Sequence, residues 1–145
     1  MGTSLENVEL RTAHHEDKDS INRIYVETTG ANRTPDWDRL IQSEGLIVAA
    51  VANQIIGFGG IDVTAADQLK WLYILPEYQK SGLGSKILQQ LEMIGWRCGL
   101  QRLQVHAAAG AVGFYERHGY VQLDQAHQTE HDHEGVGMVK SQGAD

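Results

Sequence analysis

The sequence predicts a mixed α/β (α+β) domain in which helices cover one central sheet. The main observation is the order of the predicted elements: strand, two helices, three strands, helix, strand, helix and two strands. The length of 145 residues, 41% of them hydrophobic, suffices for one core and is too short for two independent units with a linker. No segment repeats as a solenoid would require. We therefore expect a single domain over residues 1–145.

The first half of the chain carries both strand and helix patterns. Residues 8–11 alternate as a short strand, and apolar residues in helical spacing predict a first helix that ends at Gly30. Thr34 and Pro35 are typical of the cap and the first position of a short second helix. Two apolar runs then predict the strands of a hairpin, at residues 46–51 and 55–61.

The second half continues with strands that alternate with helices. A strand over residues 71–75 is stopped by Pro76, and a helix with one apolar face runs from Gly82 to near Gly99. The remaining elements are predicted as a strand at 100–106, a helix at 111–118 and strands at 120–123 and 136–139.

Charge and composition exclude several classes of protein. Twelve Lys and Arg against nineteen Asp and Glu give a net charge of −7, which disfavours nucleic-acid binding. No apolar run is long enough for a membrane span, and the N-terminus lacks the pattern of a signal peptide. The lone Cys98 excludes an internal disulfide and a cysteine zinc site. We therefore expect a cytoplasmic protein that binds neither nucleic acid nor membrane.

The most informative segment is the loop that joins the strand ending at Pro76 to the long helix. Gly82 and Gly84 leave backbone N–H groups accessible, and the helix N-terminus adds partial positive charge, so a phosphate or pyrophosphate is favoured there. The spacing matches neither the nucleotide P-loop nor the dinucleotide fingerprint. Taken alone, the two glycines favour a plain strand-to-helix turn that needs glycine for its geometry.

Two motifs together resemble the GNAT superfamily of N-acetyltransferases. Residues 79–84 read Gln-x-x-Gly-x-Gly after an Ile-x-Pro strand end, which is similar to the family's acetyl-CoA motif. Residues 114–120 resemble its Phe-Tyr-Glu-x-x-Gly-Phe block, and the hairpin around Gly57 and the last strand around Val139 are also typical. The resemblance covers nearly the whole chain. It implies a mostly antiparallel sheet of about seven strands with about four helices, in which strands 4 and 5 splay apart.

The resemblance also implies how acetyl-CoA is held. Main-chain groups of Leu72 and Ile74 would pair with the pantetheine amides in the gap between the splayed strands. The loop would bind the pyrophosphate, with the cofactor-binding residues Gln79, Lys80, Ser81, Gly82, Leu83, Gly84 and Ser85.

The resemblance assigns one catalytic residue and leaves the general base open. Tyr115 aligns with the tyrosine that often donates a proton to the departing CoA thiolate, although a core aromatic residue would show the same spacing. The family commonly carries Asn where this chain has Ala108, which removes one contact to the cofactor. The candidates for the base are Asp62, Asp67, Glu27 and His106, with a water chain as the alternative.

Four residues are candidates for contact with the acceptor substrate: Glu27, Trp37, Trp71 and His127. His127, His131 and His133 also invite a zinc hypothesis, but their polar segment offers no spaced partner outside it. A solvated loop or a wall of the acceptor groove is favoured there. We therefore predict no metal site.

These observations predict an N-acetyltransferase that transfers acetyl from acetyl-CoA to a primary amine of a small molecule, by direct attack in a ternary complex. The acidic balance favours a cationic acceptor. The alternatives are acetylation of a peptide or protein amine, and a non-catalytic sensor module that binds acyl-CoA. A homodimer is compatible with the resemblance, but no feature of the sequence tests it.

Overall fold

The computed structural model describes residues 7–123 and 135–143. They form two compact units. The first comprises the described residues up to Ile61 together with Trp71–Met93, and the second comprises Asp62–Lys70 and the described residues from Ile94 onward.

The first unit contains the N-terminal strands and helices. Its elements are β1 (Glu9–Thr12), α1 (Lys18–Thr29), α2 (Trp37–Gln42), β2 (Leu46–Val51) and β3 (Gln54–Ile61). Strand β2 pairs antiparallel with both β1 and β3.

Two further elements begin in one unit and end in the other: β4 (Leu69–Ile74) and α3 (Leu83–Arg97). In the first unit β4 follows β3 in the strand order. Gly57 lies opposite Tyr73 and Gly59 opposite Trp71, which is an antiparallel arrangement. Taken by itself, the sheet of the first unit therefore ends at β4.

The second unit is built around a long antiparallel strand pair. Its elements are β5 (Arg102–Ala108), α4 (Val112–Arg117), β6 (Val121–Gln122) and β7 (Gly135–Ser141). Strand β7 pairs antiparallel with β5 and with β6. Strands β4 and β5 pair in parallel, at Leu69 and Val105. Across the described residues there are thus seven strands, mostly antiparallel, and four α-helices, which confirms the predicted fold class.

Most predicted elements lie within two residues of their observed bounds, but the start of α2 differs. The helix is capped by Asp36, whose Oδ1 accepts a hydrogen bond of 3.1 Å from the Arg39 N–H, and it begins at Trp37. The prediction of Thr34 as the cap was wrong. A residue before proline is pushed out of helical conformation, and Asp is among the preferred capping residues.

Each unit has its own buried core. In the first, α1 and α2 cover one face of β1–β3 around Phe58 and Trp37, which are 0% and 2% exposed. In the second, Leu103, Tyr120 and Met138 are fully buried between α4 and the strands. Among the residues described by the structure, no helix is both long enough and apolar enough to cross a membrane.

Candidate functional site

A cavity of about 400 Å³ opens in the first unit, beside strand β4. It is lined by Glu27, Thr28, Leu72, Tyr73, Ile74, Leu75, Pro76 and Gln79. Four of these residues were predicted from the sequence: Leu72, Ile74 and Gln79 for the cofactor and Glu27 for the acceptor. The fold therefore brings the end of α1, the end of β4 and the start of the following loop to one cavity.

Strand β4 offers backbone hydrogen-bonding groups to this cavity. Its register pair with β5 is at Leu69, the first residue of β4, and an extended ligand can pair with a strand as another strand would. Leu72 and Ile74 lie here, as the sequence predicted. The Ile74 carbonyl already accepts a hydrogen bond of 2.9 Å from Gln79 Nε2, so the loop is tied to the strand end.

The loop after β4 is shaped by its own hydrogen bonds. A single 3₁₀ turn covers Pro76–Tyr78, and the Ser81 hydroxyl donates to the Tyr78 carbonyl. Lys80 then takes a left-handed conformation with φ of +62°. Such a conformation costs a residue with a Cβ roughly 1–2 kcal/mol, so the surrounding bonds hold it in place.

The backbone conformation at position 82 requires glycine, whereas the space around it would admit a side chain. Its φ is +85°, and a Cβ added there would meet no atom within 4 Å. Helix α3 begins at the next residue, so the N–H groups of its first turn follow a left-handed bend directly. Leu83, Gly84 and Ser85 form this first turn. This arrangement is a common anion-binding geometry, and it fits the pyrophosphate expected there.

Glu27 and Thr28 reach the cavity from the last turn of α1. Helix α1 ends at Gly30, whose φ is +68° and whose N–H donates to the Val26 carbonyl at 2.8 Å. Glu27 is exposed, and its carboxylate has no hydrogen bond or ion pair with any other residue that the structure describes. It is the acidic member of the cavity wall.

Tyr73 also lines the cavity and was not among the residues predicted from the sequence. Tyr73 is half-buried, and its ring packs against those of Tyr25 at 6.2 Å and Phe58 at 5.6 Å between centroids. Burial, together with the neighbouring Tyr25, raises the pKa of Tyr73. The phenol therefore stays neutral around pH 7. Strand alternation gave no signal for it, because Leu72 and Ile74 also line the cavity whereas Trp71, two residues before Tyr73, does not.

The two predicted tryptophans lie in the packing of the first unit. Trp37 is 2% exposed and its indole N–H donates to Asn22 Oδ1 at 2.8 Å, so it supports α1 and α2 from within. Trp71 is half-buried with its ring centroid 5.3 Å from that of Trp37. A Cβ on Gly60 would clash with the Trp71 ring. Neither tryptophan lines the cavity.

Tyr115 belongs to the second unit and is described there by itself. It lies on α4 and is 8% exposed, with its ring 5.1 Å from Phe114 and 5.4 Å from Tyr120. Its carbonyl accepts the N–H groups of His118 and Tyr120, which close the helix. The ring of the tyrosine is therefore held between Phe114 and Tyr120.

Two of the candidate bases already serve the folding of the second unit. Asp62 accepts hydrogen bonds from the backbone and the hydroxyl of Thr64, and Asp67 accepts one of 2.8 Å from Gln104 Nε2. His106 is half-buried on β5 and lies close to Gly135. A Cβ added to Gly135 would be 2.5 Å from His106 Nε2. Glu27 is the carboxylate candidate that lines the cavity.

His127, His131 and His133 lie outside the described residues. Within the described ranges, 7–123 and 135–143, no group of three or more His, Cys, Asp or Glu residues is arranged to hold a metal ion.

Comparison with known proteins identifies the family. Residues 17–142 match the sequence profile of the acetyltransferase (GNAT) domain. The chain belongs to the GNAT acetyltransferase family. It is also 30% identical to a Bacillus subtilis (strain 168) protein whose name describes an inferred acetyltransferase. The match extends over 101 residues and covers 67% of this chain and 69% of the relative. The protein is therefore an acyltransferase enzyme.

Solved GNAT-like structures agree on the fold. One is the structure of yncA from Salmonella typhimurium, an inferred acetyltransferase solved with its cofactor acetyl-CoA. Its TM-score is 0.72 at 18% identity, and the match covers 97% of this chain and 96% of the yncA chain. N-acetylglutamate synthase from Neisseria gonorrhoeae, complexed with coenzyme A and N-acetyl-glutamate, has a TM-score of 0.73 at 15% identity over 92% of this chain. This chain spans 35% of that synthase. At these identities the likeness concerns the fold alone.

This GNAT chain departs from the family pattern at Ala108. The residue ends β5 and precedes the 3₁₀ turn Ala109–Ala111, with no side-chain hydrogen bond to cap that turn. An Asn here would supply an amide that Ala108 lacks. The loss of a cofactor contact at Ala108 therefore stays a prediction from the sequence.

Proposed function

We propose that this protein transfers an acetyl group from acetyl-CoA to a primary amine of a small molecule. The observation that carries the proposal is the cavity beside β4, which extends from Leu72 to Gln79 at the start of the following loop and includes a carboxylate at the end of α1. The family and the coenzyme A or acetyl-CoA named for its structural relatives support the choice of donor.

The residues of the first unit fit a molecule with an extended arm and a diphosphate. Leu72 and Ile74 would pair with the amides of the arm along β4, and the N–H groups between Lys80 and Ser85 would bind the diphosphate. The left-handed Lys80 and Gly82 turn the backbone so that successive N–H groups can converge. Acetyl-CoA supplies an acetyl group that is activated as a thioester.

The chemistry demands two proton movements. A neutral amine nitrogen forms a bond to the acetyl carbon, the carbon–sulfur bond breaks, the nitrogen loses one proton and the sulfur gains one. We propose that the Tyr115 hydroxyl donates the proton that the sulfur gains, because Tyr115 matches the tyrosine of the family block. Its packing between Phe114 and Tyr120 is suited to hold the phenol in one orientation. The proton that the amine loses passes to Glu27 or to water.

The test measures release of coenzyme A from acetyl-CoA with a panel of primary amines and short peptides. We expect turnover with at least one small amine, and a loss of roughly 10²- to 10⁴-fold in kcat for Tyr115→Phe with little change in KM. Preferred turnover of peptides would favour the peptide alternative. Tight binding of acetyl-CoA without turnover on any amine would favour the sensor.

A pair of variants at Gly82 tests the diphosphate site separately. Gly82→Ala strains the backbone without meeting any neighbour, whereas Gly82→Glu adds the same strain and a negative charge. We expect calorimetry to show weaker coenzyme A binding in the alanine variant and none in the glutamate variant. Equal affinity of the glutamate variant and the wild type would refute the site.

A further inference from the structure

We propose that Glu27 is a specificity residue that binds a second positive charge of the acceptor, so that the preferred substrates are diamines or amines with another cationic group. This inference rests on the proposed function, because it concerns the same cavity. It adds the chemical class of the acceptor and separates the group that selects the substrate from the groups that react.

The charge of the cavity wall is the first observation. Of the eight lining residues, Glu27 is acidic and none is Lys, Arg or His. The carboxylate has no ion pair with any residue in the described part of the chain. A ligand that brings a cation to this wall would supply the missing partner.

The position of Glu27 in its helix is an independent observation. Helix α1 is 12 residues long, and its last turn contains no basic residue. The C-terminal end of a helix carries partial negative charge, which disfavours a carboxylate and favours a cation. Glu27 therefore adds a full negative charge where the helix already presents a partial one. One bound cation would interact favourably with both the Glu27 carboxylate and the partial negative charge of the helix end.

The rest of the wall suits the carbon chain that joins two amines. Leu75 is apolar and Tyr73 contributes an aromatic ring to the same cavity, and neither is among the residues assigned to the cofactor. The face of an aromatic ring attracts a cation electrostatically, and it also packs against hydrocarbon. Because the phenol of Tyr73 is neutral at physiological pH, Glu27 alone provides the negative charge among the lining residues.

The experiment compares Glu27→Gln with Glu16→Gln, which removes the same charge from an exposed residue just before α1. Calorimetry with 1,5-diaminopentane as the probe measures binding without any reaction. We expect affinity to fall about fivefold in Glu27→Gln and to stay unchanged in Glu16→Gln, as removal of a partly exposed ion pair and the helix-end contribution predicts. Equal affinity in both variants and the wild type would overturn the inference.

Kinetics then tests specificity against a matched acceptor, 5-aminopentan-1-ol, which has one reactive amine and no second charge. We expect Glu27→Gln to lower kcat/KM for the diamine through KM and to leave the amino alcohol nearly unaffected. An equal loss of kcat for both substrates, with a shifted pH profile, would make Glu27 a base and overturn the inference. Absence of turnover by the wild type on every amine would refute the proposed function, while the calorimetric result would still decide the cation site.

Discussion

At the scale of single residues, the pair Arg11 and Asp17 links strand β1 to the start of α1. Arg11 Nη1 and Nη2 donate to the Asp17 carboxylate at 2.7 and 3.1 Å, and the His14 N–H donates to it at 2.7 Å. Asp17 is 7% exposed. The hydrogen bond from Arg11 is the main cause that lowers the pKa of Asp17, and the same bond raises the pKa of Arg11.

Asp17→Asn should lower the free energy of unfolding near pH 7 by roughly 1.5–3 kcal/mol, because hydrogen bonds to a buried charge are lost. Because the pKa is lowered on folding, the unfolded chain takes up the proton first as the pH falls. The stabilisation is thus present above the ordinary carboxyl pKa of about 3.9 and is lost as the pH falls through the lower, folded value. Urea denaturation from pH 3 to 7 measures it.

The matched control is Asp38→Asn, which removes an exposed carboxylate that pairs with Lys18 at 2.8 Å. Exposed pairs contribute little, so a much smaller change is expected. A difference between wild type and Asp17→Asn that persists unchanged at pH 3 would contradict the assignment.

The residues of the candidate site were predictable to different degrees. Gln79 and Gly82 stand out because the spacing of a glycine loop is a property of consecutive residues. Trp37 and Glu27 were both candidates for the acceptor side, yet one is buried and the other lines the cavity. Their residue types already favour burial of the indole and exposure of the carboxylate, but only the fold decides which of the two reaches the cavity.

At the scale of elements, the glycines of β3 allow close packing inside the first unit. A Cβ on Gly59 would lie 2.6 Å from Ile87 Cγ2 and 2.9 Å from Leu91 Cδ1, both on α3. The strand and the helix therefore approach each other more closely than a side chain permits. The sequence predicted both elements, but the distance between them follows from the packed structure.

Gly59→Ala should destabilise the protein by roughly 1–3 kcal/mol, because the added methyl group overpacks the core. Gly113→Ala, on α4, is the contrasting change. There the nearest atom to an added Cβ is Arg117 Nη1 at 3.6 Å, and the φ is not positive. Alanine should stabilise this helix by roughly 0.4–1 kcal/mol. Thermal and urea unfolding measure both, and similar effects of the two substitutions would contradict the packing described here.

At the scale of the whole molecule, the excess of acidic residues acts on charged substrates. The net charge of −7 makes the average potential negative, which attracts cations and repels anions. The local N–H groups of the loop and the charge of Lys80 must overcome this repulsion for a diphosphate. The cytoplasmic location and a homodimer remain predictions from the sequence.

Ionic strength should therefore change the KM of a charged acceptor. We expect the KM of a diamine to rise several-fold between about 0.05 and 0.5 M salt, because screening shortens the range of the attraction. An aromatic amine that is neutral at the assay pH serves as the control and should show no such rise. An unchanged KM for the diamine would show that its charge is not recognised.

The sequence by itself determined the family, the order of the strands and helices along the chain and the location of the glycine loop at which we propose diphosphate binding. These are properties of neighbouring residues: periodicity, the glycines and prolines that end elements, and two short motifs. Only the tertiary structure decided which carboxylate reaches the cavity, that Tyr73 lines it and that Trp37 is buried. Those outcomes depend on contacts between segments far apart in the chain, such as the end of α1 and strand β4, and local patterns do not encode such distances.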